Sequence, residues 1–150
     1  MEERNALFPN YSRYSIRLVR GRGSRLWDDQ GKEYIDFMAG IAVTNLGHAA
    51  DEVKEALIAQ IHELWHCSNL FQIPGQEKLA RLLTERSCAD LAFFCNSGAE
   101  ANEAAIKIAR RYHQRVRGEN RYEIITFRQS FHGRTLATLT ATGQDKVKDG

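Results

Sequence analysis

Short runs of alternating apolar and polar positions mark the first part of the chain, between residues 14 and 37. Two of these runs, at 25–27 and 33–37, flank the segment Asp-Asp-Gln-Gly-Lys. Aspartate and glycine favour the backbone angles of tight turns, so this arrangement predicts a β-hairpin.

From about residue 51 the apolar positions recur at helical spacing instead. Two amphipathic helices are predicted, the second after Pro74 and Gly75. Their apolar stripes consist of Val53, Leu57, Ile61 and Leu64 in the first helix and Leu79, Leu82 and Leu83 in the second.

A strand, a helix and a second strand are predicted next. Residues 91–95 form a short apolar run typical of a buried strand, 99–117 are rich in strong helix formers, and 122–127 form another β-type run. This order predicts a parallel βαβ unit with a right-handed crossover, and hence an α/β fold. Residues 133–143 can form a further helix, although their threonines weaken it. Ligands of open α/β sheets bind beyond the carboxyl ends of strands, where the segments after 95 and 127 lie.

Composition and charge narrow the function classes. The 150 residues are 43% hydrophobic, enough for one compact core, and 21 basic residues balance 19 acidic ones to a net charge of +2. We therefore expect no nucleic-acid partner and no membrane partner. The arginine-rich run at 109–121 is interpreted as a solvated helix face, because acidic residues flank it and it contains few aromatic residues.

Cysteine usage and the absence of long apolar runs indicate a cytoplasmic protein. Cys67, Cys88 and Cys95 form no Cys-x-x-Cys pair and are odd in number, which favours reduced thiols. The apolar runs are much shorter than the roughly 20 residues that span a bilayer. The first residues also lack the pattern of a secretory signal.

The segment Asn96-Ser97-Gly98-Ala99 opens a predicted helix directly after a predicted strand. Free backbone N–H groups and the helix dipole converge at such a point, and glycine allows an anion to approach closely, so a phosphate would fit. A capping box, with Ser97 as N-cap and Glu100 three residues later, satisfies the same N–H groups without any ligand. The local pattern leaves both interpretations open.

The segment Phe131-His132-Gly133-Arg134 places an aromatic ring, an imidazole and a guanidinium beyond the second predicted strand. The ring of Phe131 could stack on a cofactor, and Arg134 could hold a carboxylate through two parallel hydrogen bonds. The alternative is an ordinary loop with Phe131 in the core and Arg134 in solvent. Residue chemistry alone favours that alternative.

The segment His-Glu-Leu-Trp-His at 62–66 matches the His-Glu-x-x-His pattern of zinc metalloproteases. On a helix, His62 and His66 would share a face and could bind zinc. No extended motif follows, and no residue stands out as the third ligand. A zinc-binding module through these histidines is therefore a weaker alternative, and we expect no metal.

Four blocks in order along the chain resemble the class III pyridoxal-phosphate-dependent aminotransferases, and most closely the members that act on acetylornithine. The blocks are LWDDQGKEYIDFMAGIAVTNLGH at 26–48, HCSNLF at 66–71, NSGAEANEAAIKIAR at 96–110 and SFHGRT at 130–135. The resemblance implies the aspartate-aminotransferase-like fold, called fold type I. Its large domain is a three-layer α/β structure with a mostly parallel sheet, incomplete here and preceded by an N-terminal β-hairpin segment. It also implies that residues 1–50 contribute to the small domain and that 51–150 form the first part of the cofactor-binding large domain.

The resemblance assigns roles to individual residues. It implies that Ser97, Gly98 and Ala99 hold the phosphate of pyridoxal 5'-phosphate (PLP), that Phe131 stacks on the pyridine ring, and that Arg134 binds the α-carboxylate of the substrate. The GIAV stretch at 40–43 is expected near the substrate. The Schiff-base lysine of family members lies downstream of these residues, so no catalytic residue is expected in the 150 residues, which alone should be inactive.

The implied reaction moves an amino group between N-acetylornithine and 2-oxoglutarate, which becomes glutamate, in arginine biosynthesis by a homodimer. Other donors used within the family, namely ornithine, succinylornithine and 4-aminobutyrate, remain open.

Overall fold

The computed structural model describes residues 6–149. Residues 1–5 and Gly150, which the predicted domain ranges include, lie outside the described residues. The chain divides into two compact units, with the boundary between Phe71 and Gln72. The predicted division after residue 50 concerns the domains of the complete fold and stays a prediction.

An antiparallel sheet of three strands, β1 (Leu18–Arg22), β2 (Arg25–Asp28) and β3 (Glu33–Ile35), forms the first unit's β structure, in the order β1-β2-β3. The predicted hairpin is confirmed as the β2–β3 pair, in which Leu26 lies opposite Tyr34.

Asp28 organises the turn between β2 and β3. Its carboxylate accepts hydrogen bonds from the backbone N–H groups of Gln30 (3.0 Å) and Lys32 (2.8 Å) and from the Tyr34 hydroxyl (2.8 Å). Gly31 supplies the positive φ, +83°, that the turn requires. The bond from Tyr34, the largest effect, lowers the pKa of the Asp28 carboxyl.

Two helical segments follow in the first unit. The four residues of α1 (Ala39–Ala42) all have positive φ, between 48° and 63°, and so form a single left-handed turn. The first predicted amphipathic helix is confirmed as α2 (Asp51–Ile61), which ends before Leu64.

The second unit contains α3 (Pro74–Glu85), α4 (Gly98–Arg115), α5 (Leu136–Ala141) and a 3-10 turn at Asp145–Val147. The three predicted helices of this region are thereby confirmed. Helix α3 begins at Pro74 itself, earlier than predicted, because proline is tolerated in the first turn of a helix. Ser97 is the N-cap of α4, as in the predicted capping box.

The two predicted strands at 91–95 and 122–127 are wrong for the described residues, because neither has a backbone ladder. A strand exists only where a neighbouring strand exchanges backbone hydrogen bonds with it, and these two segments do not pair with each other. Residues 124–126 and one face of α4 line the same groove of about 250 Å³, but Ile125 is 95% exposed.

The predicted single core is also not found. Among residues 6–149 no hydrophobic side chain is fully buried, and the buried residues with polar side chains are Asp28, Thr138 and Thr142. The segment interpreted as a buried strand is open, with Leu91 88% and Phe93 67% exposed. The apolar stripes of α2 and α3 are uncovered as well. The periodicity therefore predicts the helices correctly, but their apolar faces have no cover within the described residues.

All three cysteines are free thiols. In the stretch from residue 6 to 149, no helix combines the length and the apolar character that crossing a membrane requires.

Candidate functional site

The N-terminus of α4 is the first half of the candidate site. The hydroxyl of Ser97 accepts a hydrogen bond from the backbone N–H of Glu100 (3.2 Å), which caps the helix. The Glu100 carboxylate reaches back to the backbone N–H of Asn96 (2.7 Å) and to its side-chain amide (3.1 Å). The predicted reciprocal pair of Ser97 and Glu100 is present, with the glutamate bonded one residue before the N-cap.

This cap leaves donors unused at the same helix end. The backbone N–H groups of Gly98 and Ala99 make no hydrogen bond to any group in residues 6–149. The space beside Gly98 is open, because a Cβ built there would meet nothing within 4 Å. An anion could therefore approach two free N–H groups at the positive end of an 18-residue helix while the cap stays intact. The capping and phosphate interpretations are compatible, not exclusive.

The segment 131–135 lies directly against this helix end. A Cβ built on Gly133 would stand 2.7 Å from the Cβ of Ala99 and 2.7 Å from the hydroxyl oxygen of Thr138. Gly133 also has φ +131°, which side chains rarely tolerate. The structure thus brings the two predicted site segments together at the contact between Gly133 and Ala99, and glycine is required there for two separate reasons.

Further bonds, from α4 and from the residue that ends α5, hold the segment in place. The side-chain amide of Asn102 donates to the carbonyl oxygen of His132 (2.8 Å), and the Thr135 hydroxyl donates to the Glu103 carboxylate. The hydroxyl of Thr142 accepts from the backbone N–H of His132 (3.0 Å).

Sequence reasoning missed Asn102 and Glu103. Their signal is spacing, since they lie three and four positions after Ala99 and so on its helix face.

Phe131 and Arg134 flank Gly133 and lie beside each other. The ring of Phe131 is 55% exposed, so the interpretation that places it in the core is wrong for the described residues. The central guanidinium carbon of Arg134 lies 5.6 Å from the centroid of that ring, within the range of a cation–π contact. A half-exposed aromatic ring and a guanidinium therefore lie close together, in the segment that contacts the start of α4 through Gly133.

A separate polar cluster in the first unit fixes the left-handed turn α1, which includes most of the GIAV stretch. The Asp36 carboxylate accepts from the backbone N–H groups of Met38 (2.8 Å) and Ala39 (3.0 Å), and its other oxygen lies 2.6 Å from Nε2 of His48. The bond with His48 and then the two backbone bonds hold the pKa of the Asp36 carboxyl below its usual value. Sequence reasoning missed this clamp.

The helical premise of the zinc alternative does not hold. Helix α2 ends at Ile61, and His62 is its C-cap, so His62 and His66 do not share a helix face. Within residues 6–149, no group of three or more His, Cys, Asp or Glu side chains is placed to hold a metal ion.

Comparisons with known proteins identify what the chain is similar to. Residues 8–150 match the family described as Aminotransferase class-III. A curated protein named acetylornithine aminotransferase from Oceanobacillus iheyensis is 57% identical over 146 residues, which cover 97% of this chain and 37% of that protein. The chain spans about a third of the length of the curated relatives it matches.

Solved structures give the same result. An N-acetylornithine aminotransferase from Stenotrophomonas maltophilia is 46% identical, with a TM-score of 0.75 over 82% of this chain and 34% of that one. An ornithine aminotransferase from Toxoplasma gondii, described with partial occupancy of PLP at its active site, has a TM-score of 0.86 at 26% identity over 97% of this chain and 35% of that one. These structural neighbours are PLP-dependent aminotransferases of fold type I.

Proposed function

Because this chain belongs to the class III aminotransferase family, we propose that the complete protein transfers an amino group from N-acetylornithine to 2-oxoglutarate, using PLP as cofactor. The observation that carries the proposal is the contact of Gly133 with Ala99. It joins a helix end suited to a phosphate with a segment that presents an aromatic ring and a guanidinium.

The residues present fit the cofactor's phosphate. The dianion would accept from the free N–H groups of Gly98 and Ala99, in the open space beside Gly98, where the dipole of α4 also favours negative charge. Ser97 contributes by capping the helix, which fixes the direction of those N–H groups. PLP would supply the electron-accepting ring that transamination requires.

Phe131 and Arg134 would orient the reacting partners. The half-exposed ring of Phe131 suits stacking on a pyridine ring, and its apolar surface would exclude water from one side of that ring. The planar guanidinium of Arg134 matches a carboxylate in a bidentate geometry. Both the amino donor and the oxo acid carry an α-carboxylate, so one guanidinium would serve both halves of the reaction.

We also propose the properties that concern the complete protein. The fold would be completed as the three-layer, mostly parallel sheet of the fold type I large domain. The uncovered apolar stripes of α2 and α3 support further cover of this kind. The active form would be a cytoplasmic homodimer of arginine biosynthesis, and residues outside this sequence would complete the reaction.

Ornithine is the second candidate donor. The specific observation in its favour is the match of 97% of this chain to the Toxoplasma gondii ornithine aminotransferase. Kinetics of the complete protein with acetylornithine and ornithine separate the two candidates. The proposal expects kcat/KM for acetylornithine to exceed that for ornithine at least tenfold.

Replacing Arg134 tests the proposed carboxylate role. Arg134→Ala in the complete protein is expected to raise KM for both the amino donor and the oxo acid, with a loss in kcat/KM worth about 2–5 kcal/mol when a charge pair loses one partner. Arg134→Lys keeps the charge but loses the bidentate geometry, so it should restore only part of the loss. Arg128→Ala, which removes an exposed arginine nearby, is the matched control. Unchanged KM values in Arg134→Ala would remove this residue from the site.

A further inference from the structure

One face of α4 makes three successive contacts with the segment 131–135. Ala99 packs on Gly133, the Asn102 amide donates to His132, and the Glu103 carboxylate accepts from Thr135. Residues at positions i, i+3 and i+4 share a helix face, so these contacts form one continuous line. The helix that offers free N–H groups at its end therefore also sets the position of the segment that carries Phe131 and Arg134.

Among these contacts, the Asn102 bond acts on the backbone between the two functional side chains. The His132 carbonyl belongs to the planar peptide unit that joins His132 to Gly133. The Asn102 amide donates to this carbonyl oxygen at 2.8 Å, and the hydrogen bond fixes the plane of the peptide unit. Phe131 leaves the chain before this unit and Arg134 after it, so a fixed plane restricts the relative positions that the two residues can take.

The Asn102 side chain is uncharged and half-buried, which suits it to hold the His132 carbonyl in one direction. It bonds a backbone group 30 positions further along the chain. A bond to backbone does not depend on which side chain stands at position 132. It also leaves the N–H groups of Gly98 and Ala99 available for an anion.

We propose that Asn102 is a positioning residue, which holds Phe131 and Arg134 in register with the helix end at Gly98 through the carbonyl oxygen of His132. The position of segment 131–135 is a property of this chain. The role of that position in placing a cofactor ring and a substrate carboxylate rests on the proposed function.

Two variants of the complete protein separate the hydrogen bond from the bulk of the side chain. Asn102→Ala removes the side chain beyond Cβ, whereas Asn102→Leu keeps about the same volume, carries no charge and has no N–H donor. The control is Gln114→Ala, which removes an exposed amide from the same helix that makes no hydrogen bond to the described residues. If Asn102→Ala does not accumulate as folded protein, Asn102→Leu decides the question.

The first measurement is amide hydrogen exchange of the cofactor-free protein. Loss of one hydrogen bond of ordinary strength is expected to speed exchange in 131–135 about three- to tenfold in both variants, with exchange at 97–101 unchanged. Gln114→Ala should match the wild type in both segments. Wild-type exchange in 131–135, or equal acceleration at 97–101, would overturn the proposal.

The second measurement is the division between KM and kcat in the active protein. A displaced Arg134 weakens carboxylate binding, so both variants are expected to raise KM for the amino donor and the oxo acid about tenfold, with kcat within about twofold of the wild type. A general loss of structure would lower kcat and the melting temperature together, and this pattern counts against positioning. If the complete protein proves to have no aminotransferase activity, the proposed function fails and the exchange experiment still decides the role of Asn102.

Discussion

The second unit's segment 131–135 and the first unit's turn α1 are both held in uncommon backbone conformations, but by opposite means. In the segment 131–135 a glycine adopts the uncommon φ, and neighbouring atoms from α4 and α5 fill the space around it. In α1 the residues with positive φ include two alanines and an isoleucine, and one carboxylate, that of Asp36, ties the turn at its start.

Close packing therefore holds the segment 131–135 in its conformation, whereas hydrogen bonds to a carboxylate hold α1. Gly133 avoids strain, so its segment depends on close packing and should respond strongly to added volume. Left-handed alanine and isoleucine cost roughly 1–2 kcal/mol each, so α1 depends on the hydrogen bonds that oppose this cost. It should respond to the charge of Asp36 more than to volume.

The largest expected effect is that of Gly133→Ala. The added methyl group meets Ala99 and Thr138 at 2.7 Å and takes an unfavourable φ, so we expect a loss of about 3 kcal/mol in the free energy of unfolding. Gly118→Ala is the matched control, because Gly118 has φ +67° but open space around its Cα. It should cost only about 1 kcal/mol, for the backbone alone. Equal losses in denaturant titrations of the complete protein would show that packing does not dominate at Gly133.

An intermediate effect is expected for Ser97→Ala, which removes the cap but leaves the backbone N–H groups of Gly98 and Ala99. Unfolding free energy should fall by about 1 kcal/mol, the usual value of an N-cap side chain. Affinity for PLP should fall less than about threefold, since the N–H groups of Gly98 and Ala99 remain. Thermal denaturation and a PLP titration of the cofactor-free protein measure the two quantities. A much larger loss of affinity would mean that the hydroxyl itself binds the phosphate.

The smallest effect is expected for the pH dependence of α1. The pKa of the Asp36 carboxyl is lowered in the folded protein, so its contribution to stability is present above its unfolded pKa and is lost as pH falls through the lower folded value. Exchange of the amides of residues 38–44 should therefore accelerate below about pH 4, beyond the intrinsic pH effect. Asp36→Asn should show faster exchange at neutral pH and no such step. A step that persists in the variant would assign it to another group.

Much of the fold was predictable because its signals are local. The hairpin, α2, α3 and α4 follow from turn residues, helical spacing and the Ser97 cap. The strands at 91–95 and 122–127 were not, because a strand needs a partner and periodicity does not say whether one is present. The prediction of a single buried core was wrong for the same reason. An apolar stripe predicts which face of a helix is apolar, but not what covers that face.

The candidate site shows the same division. Its backbone donors and the glycine at 133 are visible in the sequence, since glycines and caps have characteristic neighbours. Asn102 was missed because its partner lies 30 residues away, and Asp36 because an Ala-Gly-Ile-Ala stretch has no signature of a left-handed turn.

The central claim is that the N–H groups at the start of α4 bind the cofactor's phosphate, and Gly98→Pro tests it most directly. Proline removes the N–H at the first helical position, where its ring is tolerated, and the extended backbone of Ser97 (φ −154°, ψ 159°) suits a residue before proline. Gly98→Ala, which keeps the N–H, is the control. In PLP titrations of the complete cofactor-free protein, Gly98→Pro should raise the Kd at least tenfold, the effect of losing one hydrogen bond to a charged group, and Gly98→Ala less than about threefold. Wild-type affinity in a folded Gly98→Pro protein would contradict the account.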